Sequence, residues 1–90
     1  MTITWDSSNE QSHYQKHKIH FNEAITVYDD PCSIVAVDKR HGELRFTIIG
    51  LSESGNLLRV TYAFDSVDEI RIISARRASP ANRKEYFNRI

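Results

Sequence analysis

The sequence predicts a single α+β domain over residues 1–90. It should have two N-terminal helices, an antiparallel four-stranded meander and a C-terminal helix, with a short strand available at residues 2–5. Three observations carry this. Apolar residues in the first third recur at helical spacing. Four strand-like runs follow, separated by polar turns of hairpin length. A serine–proline step then opens a last helical stretch.

Each element has a local reason. Asp6, Ser7 and Ser8 offer helix caps for a polar helix over residues 9–17, whose large apolar content is Tyr14. Phe21, Ala24, Ile25 and Tyr28 then fall on one face of a second helix. Asp29-Asp30-Pro31 ends it, because the residue before a proline avoids helical geometry. The strands are expected at residues 33–37, 44–49, 57–64 and 70–75, with turns at 39–42, 52–56 and 65–68. Ser79 is a good N-cap and Pro80 suits the first helical position, so the last helix should run over residues 80–89 with Phe87 in the core.

The turns also predict a register. Pairing Leu51 with Leu57 sets Phe46 opposite Tyr62 and Ile48 opposite Val60. Leu44, Phe46, Ile48, Leu58, Val60, Tyr62 and Phe64 then share a core face covered by the helices. The opposite face carries Arg45, Thr47, Arg59 and Thr61, a shallow basic floor. Pairing Phe64 with Glu69 would put Arg71 on the core face. The arginine then needs a partner, a sheet edge, or a one-residue slip in register.

Composition narrows the function. The chain has no net charge at neutral pH, and its apolar and charged fractions are those of a soluble globular protein. No apolar run reaches membrane-spanning length, no secretory signal is read at the N-terminus, and Cys32 stands alone, which suits the cytoplasm. Charge is uneven along the chain. Residues 70–90 hold Arg71, Arg76, Arg77, Arg83, Lys84 and Arg89 against Glu85 alone, while residues 1–69 hold eleven acidic residues. An anionic partner for the C-terminal part follows, either nucleic acid or an acidic protein segment. His13 and His17 are spaced to chelate a metal, but no third ligand accompanies them and no metal site or cofactor is expected. No serine elbow and no glycine-rich phosphate loop is present.

What remains is rich in arginine: Arg45, Arg59, Arg71, Arg76, Arg77 and Arg83, with Tyr62 and Tyr86. Such a set binds RNA phosphates and stacks on bases. It also suits metal-free RNA cleavage, in which a 2′-hydroxyl is activated, a pentavalent phosphate is stabilised and the 5′-oxygen is protonated. Arginines serve the second task. His17, Glu43 and Tyr86 are the candidates for the proton transfers.

The order and spacing of several pieces resemble the BrnT-type toxins. They are Trp5-Asp6, Lys16-His17, Phe21 with Glu23-Ala24, Tyr28-Asp29-Asp30-Pro31, Glu43 and Arg45, and Ile49-Gly50. Leu57-Leu58 with Val60 and Tyr62, residues 71–76 with Ala78, and finally Arg83 and Tyr86 complete the set. The resemblance implies a RelE-like fold and a cytoplasmic ribonuclease of a type II toxin–antitoxin pair that slows growth. It also implies an antitoxin with a ribbon-helix-helix DNA-binding domain, through which the complex reaches operator DNA, and no membrane role. On this reading Arg71, Arg76, Arg83, Tyr86 and His17 are catalytic candidates and Arg45, Arg59 and Arg77 bind RNA. The family pattern commonly has lysine, asparagine and glycine where this chain has Asn9, His13 and Lys18, arginine near Asp65 and glutamate at Asn82. Those last two departures motivate an alternative, a catalytically decayed module that acts as antitoxin partner and corepressor.

Overall fold

The computed structural model describes residues 1–39 and 42–88. Arg40 and His41 of the expected turn, and Arg89 of the expected last helix, lie outside the described residues. The architecture is α+β, built on a five-stranded mixed sheet. Its strands are β1 (Thr2–Trp5), β2 (Ile34–Asp38), β3 (Arg45–Leu51), β4 (Leu57–Ser66) and β5 (Glu69–Arg77), in the spatial order β1-β5-β4-β3-β2. Strands β2 to β5 form the antiparallel meander. The N-terminal strand completes the sheet by pairing parallel to β5, with Ile3 opposite Ile70 and Trp5 opposite Ile72.

Helix α1 spans Ser7–His17 and is capped by Asp6, whose carboxylate accepts the Asn9 N–H at 2.9 Å. It closes at Lys18, which takes the left-handed conformation at φ 59° and donates its N–H to the Tyr14 carbonyl. The second helix is shorter than its apolar spacing predicts. Helix α2 covers Phe21–Ala24 and tightens into a 3-10 helix at Ile25–Asp29. The run Ile25-Thr26-Val27 is β-branched, which weakens a regular α-helix, and the chain must turn at Asp30-Pro31. Helix α3 spans Pro80–Asn88. Ser79 caps it, its hydroxyl accepting the Asn82 N–H at 3.1 Å.

The sheet has a core on each face, not on one as the sequence suggests. Helices α1 and α2 and the 3-10 helix cover the first face. There Phe21, Ala24 and Val27 pack with Ile48, Leu58, Val60, Tyr62, Ile70, Ile72 and Ala75. On the second face α3 seals a smaller core of Ile34, Ile49, Leu57 and Tyr86. Isoleucine and leucine at outward positions of β2, β3 and β4 leave apolar area that only the last helix can remove from water.

The register of β3 with β4 is the one predicted, including Phe46 opposite Tyr62 and Leu51 opposite Leu57. At the rim the packing differs. Leu44 precedes β3 and is 53% exposed, and Phe64 is 46% exposed, because the helices reach only part of the first face. Phe87 is also exposed, and its neighbour Tyr86 takes the core position. Two irregularities settle Arg71. Between β4 and β5, Phe64 pairs with Ile70 while Ser66 pairs with Glu69, leaving Asp65 as an extra residue. Tyr62 pairs with Ile72 while Thr61 pairs with Ser74, leaving Ile73 as another. The slip places Arg71 opposite Ala63 on the second face. The Asn9 amide holds the Ile73 carbonyl at 2.7 Å, tying α1 to this bulge.

Candidate nucleic-acid interface

The part of the second face that α3 leaves open is ordered in cross-strand rows, because opposed residues of paired strands share a face. One row runs Asp38, Arg45, Ala63, Arg71 from β2 to β5. The next runs Ala36, Thr47, Thr61, Ser74. A third runs Ile34, Ile49, Arg59, Arg76. Successive rows are about 7 Å apart along the strands. A hydroxyl row therefore lies between two arginine rows, and the third row leads under α3 through Ile34 and Ile49.

Two shallow depressions mark this surface. One of about 280 Å³ is lined by Asp38, Arg45, Arg59, Thr61, Ile73, Ser74 and Arg76. A second of about 290 Å³, lined by Ala36, Val37, Asp38, Lys39, Thr47 and Arg59, shares Asp38 and Arg59 with it. A third depression is acidic in lining, with Asp29, Asp30 and Glu53 beside Thr26, Leu51 and Ser52, and its charge is unsuited to phosphate.

The arginines differ in company. Arg59 and Arg76 face each other directly across β4 and β5. Like charges so placed repel, and an anion between them relieves the repulsion. Arg71 is held by carboxylates: its guanidinium donates to Asp65 at 3.3 Å and to both oxygens of Glu43 at 3.3 and 3.4 Å. Glu43 also accepts from Arg45 at 3.1 Å. The hydrogen bond from Arg45, joined by Arg71, keeps the Glu43 carboxyl below its ordinary range. For Arg71, desolvation works against the charge, but Asp65 and Glu43 outweigh it and the pKa is raised.

The remaining candidates are spread. Arg83 is exposed on α3, its guanidinium 5.6 Å from the centre of the Phe87 ring. Arg77 lies opposite Leu58, on the first face, and donates to Asn56 at 2.9 Å. Asn56 and Ser52 in turn hydrogen-bond Glu23, so Arg77 belongs to a network that ties α2 to the β3–β4 turn. His17 is on α1, stacked on His13 at 5.9 Å between ring centres, and His13 abuts Phe21 of the first-face core. The helix-covered side of the sheet thus carries His17 and Arg77, apart from the arginine rows.

Tyr86 is 1% exposed beneath α3, and its hydroxyl donates to Asp30 at 2.6 Å. Burial, helped by the Asp30 carboxylate, pushes the phenol up to about 12. Asp30 itself is a junction. Its carboxylate also accepts the N–H groups of Leu51 and Cys32, and Gly50 stands so close that a Cβ there would meet Asp30 Oδ2 at 3.3 Å. Sequence reasoning reads Asp30 as a helix terminator and misses its second role, because the contact with Tyr86 spans 56 residues.

The fold and this face define a small α+β protein with one sheet surface capped in part by a C-terminal helix and otherwise lined by arginines and hydroxyls. The chain matches over residues 5–85 the family described as the ribonuclease toxin, BrnT, of type II toxin-antitoxin systems, and it belongs to that family. Its structure is similar to the crystal structure of the Brucella abortus ribonuclease toxin BrnT, with a TM-score of 0.71 and 23% sequence identity over 88% of this chain and 97% of the other. No curated protein matches the chain. Membership of a type II family implies an antitoxin partner. Among the described residues no helix is long and apolar enough to cross a membrane.

Proposed function

We propose that this chain is a metal-independent endoribonuclease toxin whose substrate lies across the open second face of the sheet. The observation that carries the reading is the direct opposition of Arg59 and Arg76, with Thr61 and Ser74 one row away. A phosphodiester over this pair meets two guanidinium groups and two hydroxyls from a rigid sheet. Charge that develops on a pentavalent phosphate is stabilised by donors already in place. Arg71 lies two rows away on β5, Arg45 extends the basic surface toward β2, and Arg83 stands on α3 beside Phe87. His17 and Tyr86 act on this reading through the fold: one sits on the far side of the sheet, the other anchors α3. The partner is an antitoxin that covers the same face, carries a ribbon-helix-helix domain and brings the complex to its operator in the cytoplasm.

The test is cleavage of a mixed RNA by the purified chain with a chelator present, beside Arg76→Ala. Cleavage should persist with chelator and fall at least roughly tenfold in the variant, a loss expected when one transition-state donor is removed. Unchanged cleavage by a folded Arg76→Ala protein would sink the assignment. A second reading, a decayed binding module, draws on the Asp65–Arg71 pair and on Asn82. It predicts no cleavage by either protein and normal growth of cells that express the chain without its partner.

A further inference from the structure

The two arginine rows are chemically unequal. The row at Arg59 and Arg76 sets its two arginines directly opposite each other, with Ile34 and Ile49 completing it. The row at Arg45 and Arg71 contains Asp38, and Glu43 and Asp65 reach into it from outside the pairing. Arg45 and Arg71 flank Ala63, whose small side chain leaves room between them. Glu43 spans that space, with Oε1 on Arg45 and both oxygens on Arg71. Asp65 closes the other side of Arg71, and it does so because it is the extra residue of a bulge, a device that re-aims a side chain. Glu43, bridging both guanidinium groups, and Asp65, on Arg71 alone, occupy donors that a phosphate would take.

We propose that Arg45 and Arg71 form a second phosphodiester subsite, kept closed by Glu43 and Asp65. The inference rests on the reading of this face as the RNA surface. The Arg59–Arg76 row is the other phosphate subsite of this face. The second subsite opens only when a backbone phosphate displaces the carboxylates. The four ionic side chains are all partly exposed, so the exchange occurs at the surface and needs no rearrangement of the sheet. Asp65 and Glu43 thereby limit affinity for short RNA and favour substrates long enough to engage both rows.

The experiment measures binding of a 2′-O-methyl oligonucleotide, which resists cleavage at its modified 2′ positions, across a series of salt concentrations. The proteins are the parent, the Glu43→Gln/Asp65→Asn double variant, and that variant with Arg71→Ala added. The double variant should bind roughly threefold to tenfold more tightly at low salt, in keeping with the modest strength of exposed ion pairs. Its log–log salt dependence should steepen by about 0.7 for the phosphate gained. Adding Arg71→Ala should return both quantities to the parent values. A double variant with parental affinity and salt dependence overturns the second subsite. Arg76→Ala separates the two subsites: weaker binding in both backgrounds supports the Arg59–Arg76 row, and unchanged binding counts against that row, while the gain in the double variant still decides the second subsite. Titration of inorganic phosphate, read on the Arg45 and Arg71 side-chain Nε–H signals by NMR, tests the subsite without RNA. Shifts in the double variant but not the parent support it, and no shift in either overturns it.

Discussion

At the scale of single residues, the distinction that matters is between arginines facing solvent on the second face and polar groups that hold the fold together. Tyr86 resembles a catalytic residue by position in the sequence, yet its ring fills a core of Ile34, Ile49 and Leu57 and its hydroxyl is bound to Asp30. Tyr86→Phe should therefore lower stability by about 1.5–3 kcal/mol, the worth of a hydrogen bond to a charged group. RNA cleavage per folded molecule should change little. Denaturant unfolding and cleavage assays on the same preparation check this. Asp30 makes the stability sensitive to acid. Burial alone would raise its pKa, but the Leu51 N–H, the Tyr86 hydroxyl and the Cys32 N–H outweigh it and the native value is lowered. A carboxyl with a lowered native pKa contributes fully above its unfolded value, near pH 3.8, and that contribution is lost as pH falls through the native value. Asp30→Asn should be less stable than the parent at neutral pH and lose less stability on acidification below about pH 4. Thermal melts between pH 3 and pH 7 read the difference.

At the scale of elements, local chemistry explains the ends better than the middles. Ser79 caps α3 as its residue type suggests, and Asp30-Pro31 stops the second helical stretch. Helix α1 starts at Ser7, two residues before the expected start, with Asp6 as the cap among three candidates. The second helix itself was legible only as an apolar face. Its conversion to a 3-10 helix after Ala24 reflects β-branched residues and the short path to β2. Lys18 ends α1 in the left-handed region, where a Cβ is costly. Lys18→Gly should stabilise the protein by about 1 kcal/mol and raise the melting temperature by about 4–8 °C. A lower melting temperature would show that the lysine makes contacts that offset its backbone strain. The bulges of β4 and β5 were not legible in sequence. Neither Asp65 nor Ile73 has a side chain that demands one. The slip exists because it keeps Ile70 and Ile72 inside while Arg71 turns out.

At the scale of the whole molecule, the sheet separates two tasks. One face is filled by α1, α2 and the 3-10 helix, and the polar network of Glu23, Ser52, Asn56 and Arg77 fastens that layer to the β3–β4 turn. The other face is shared between α3 and the arginine rows. Expression of the chain without its antitoxin should slow growth, and Arg76→Ala should relieve it while remaining folded. Growth curves with circular dichroism of the purified variant check the pair. Equal growth inhibition by parent and variant would move the site away from the open face.

The strand order of the meander, the β3–β4 register, the Ser79 cap of the last helix and a basic outward face holding Arg45 and Arg59 were legible in the residues alone. These depend on neighbours a few residues apart, on alternation and on turn length, all local quantities. Contacts between distant segments set which arginines share that face, the hold of Asp65 and Glu43 on Arg71, the pairing of β1 with β5 and the hydrogen bond of Tyr86 to Asp30. Each of those depends on a contact between distant segments or on a single extra residue that shifts a register. Such a shift is chosen by the sum of burial over the whole sheet, and no short stretch of sequence encodes that sum.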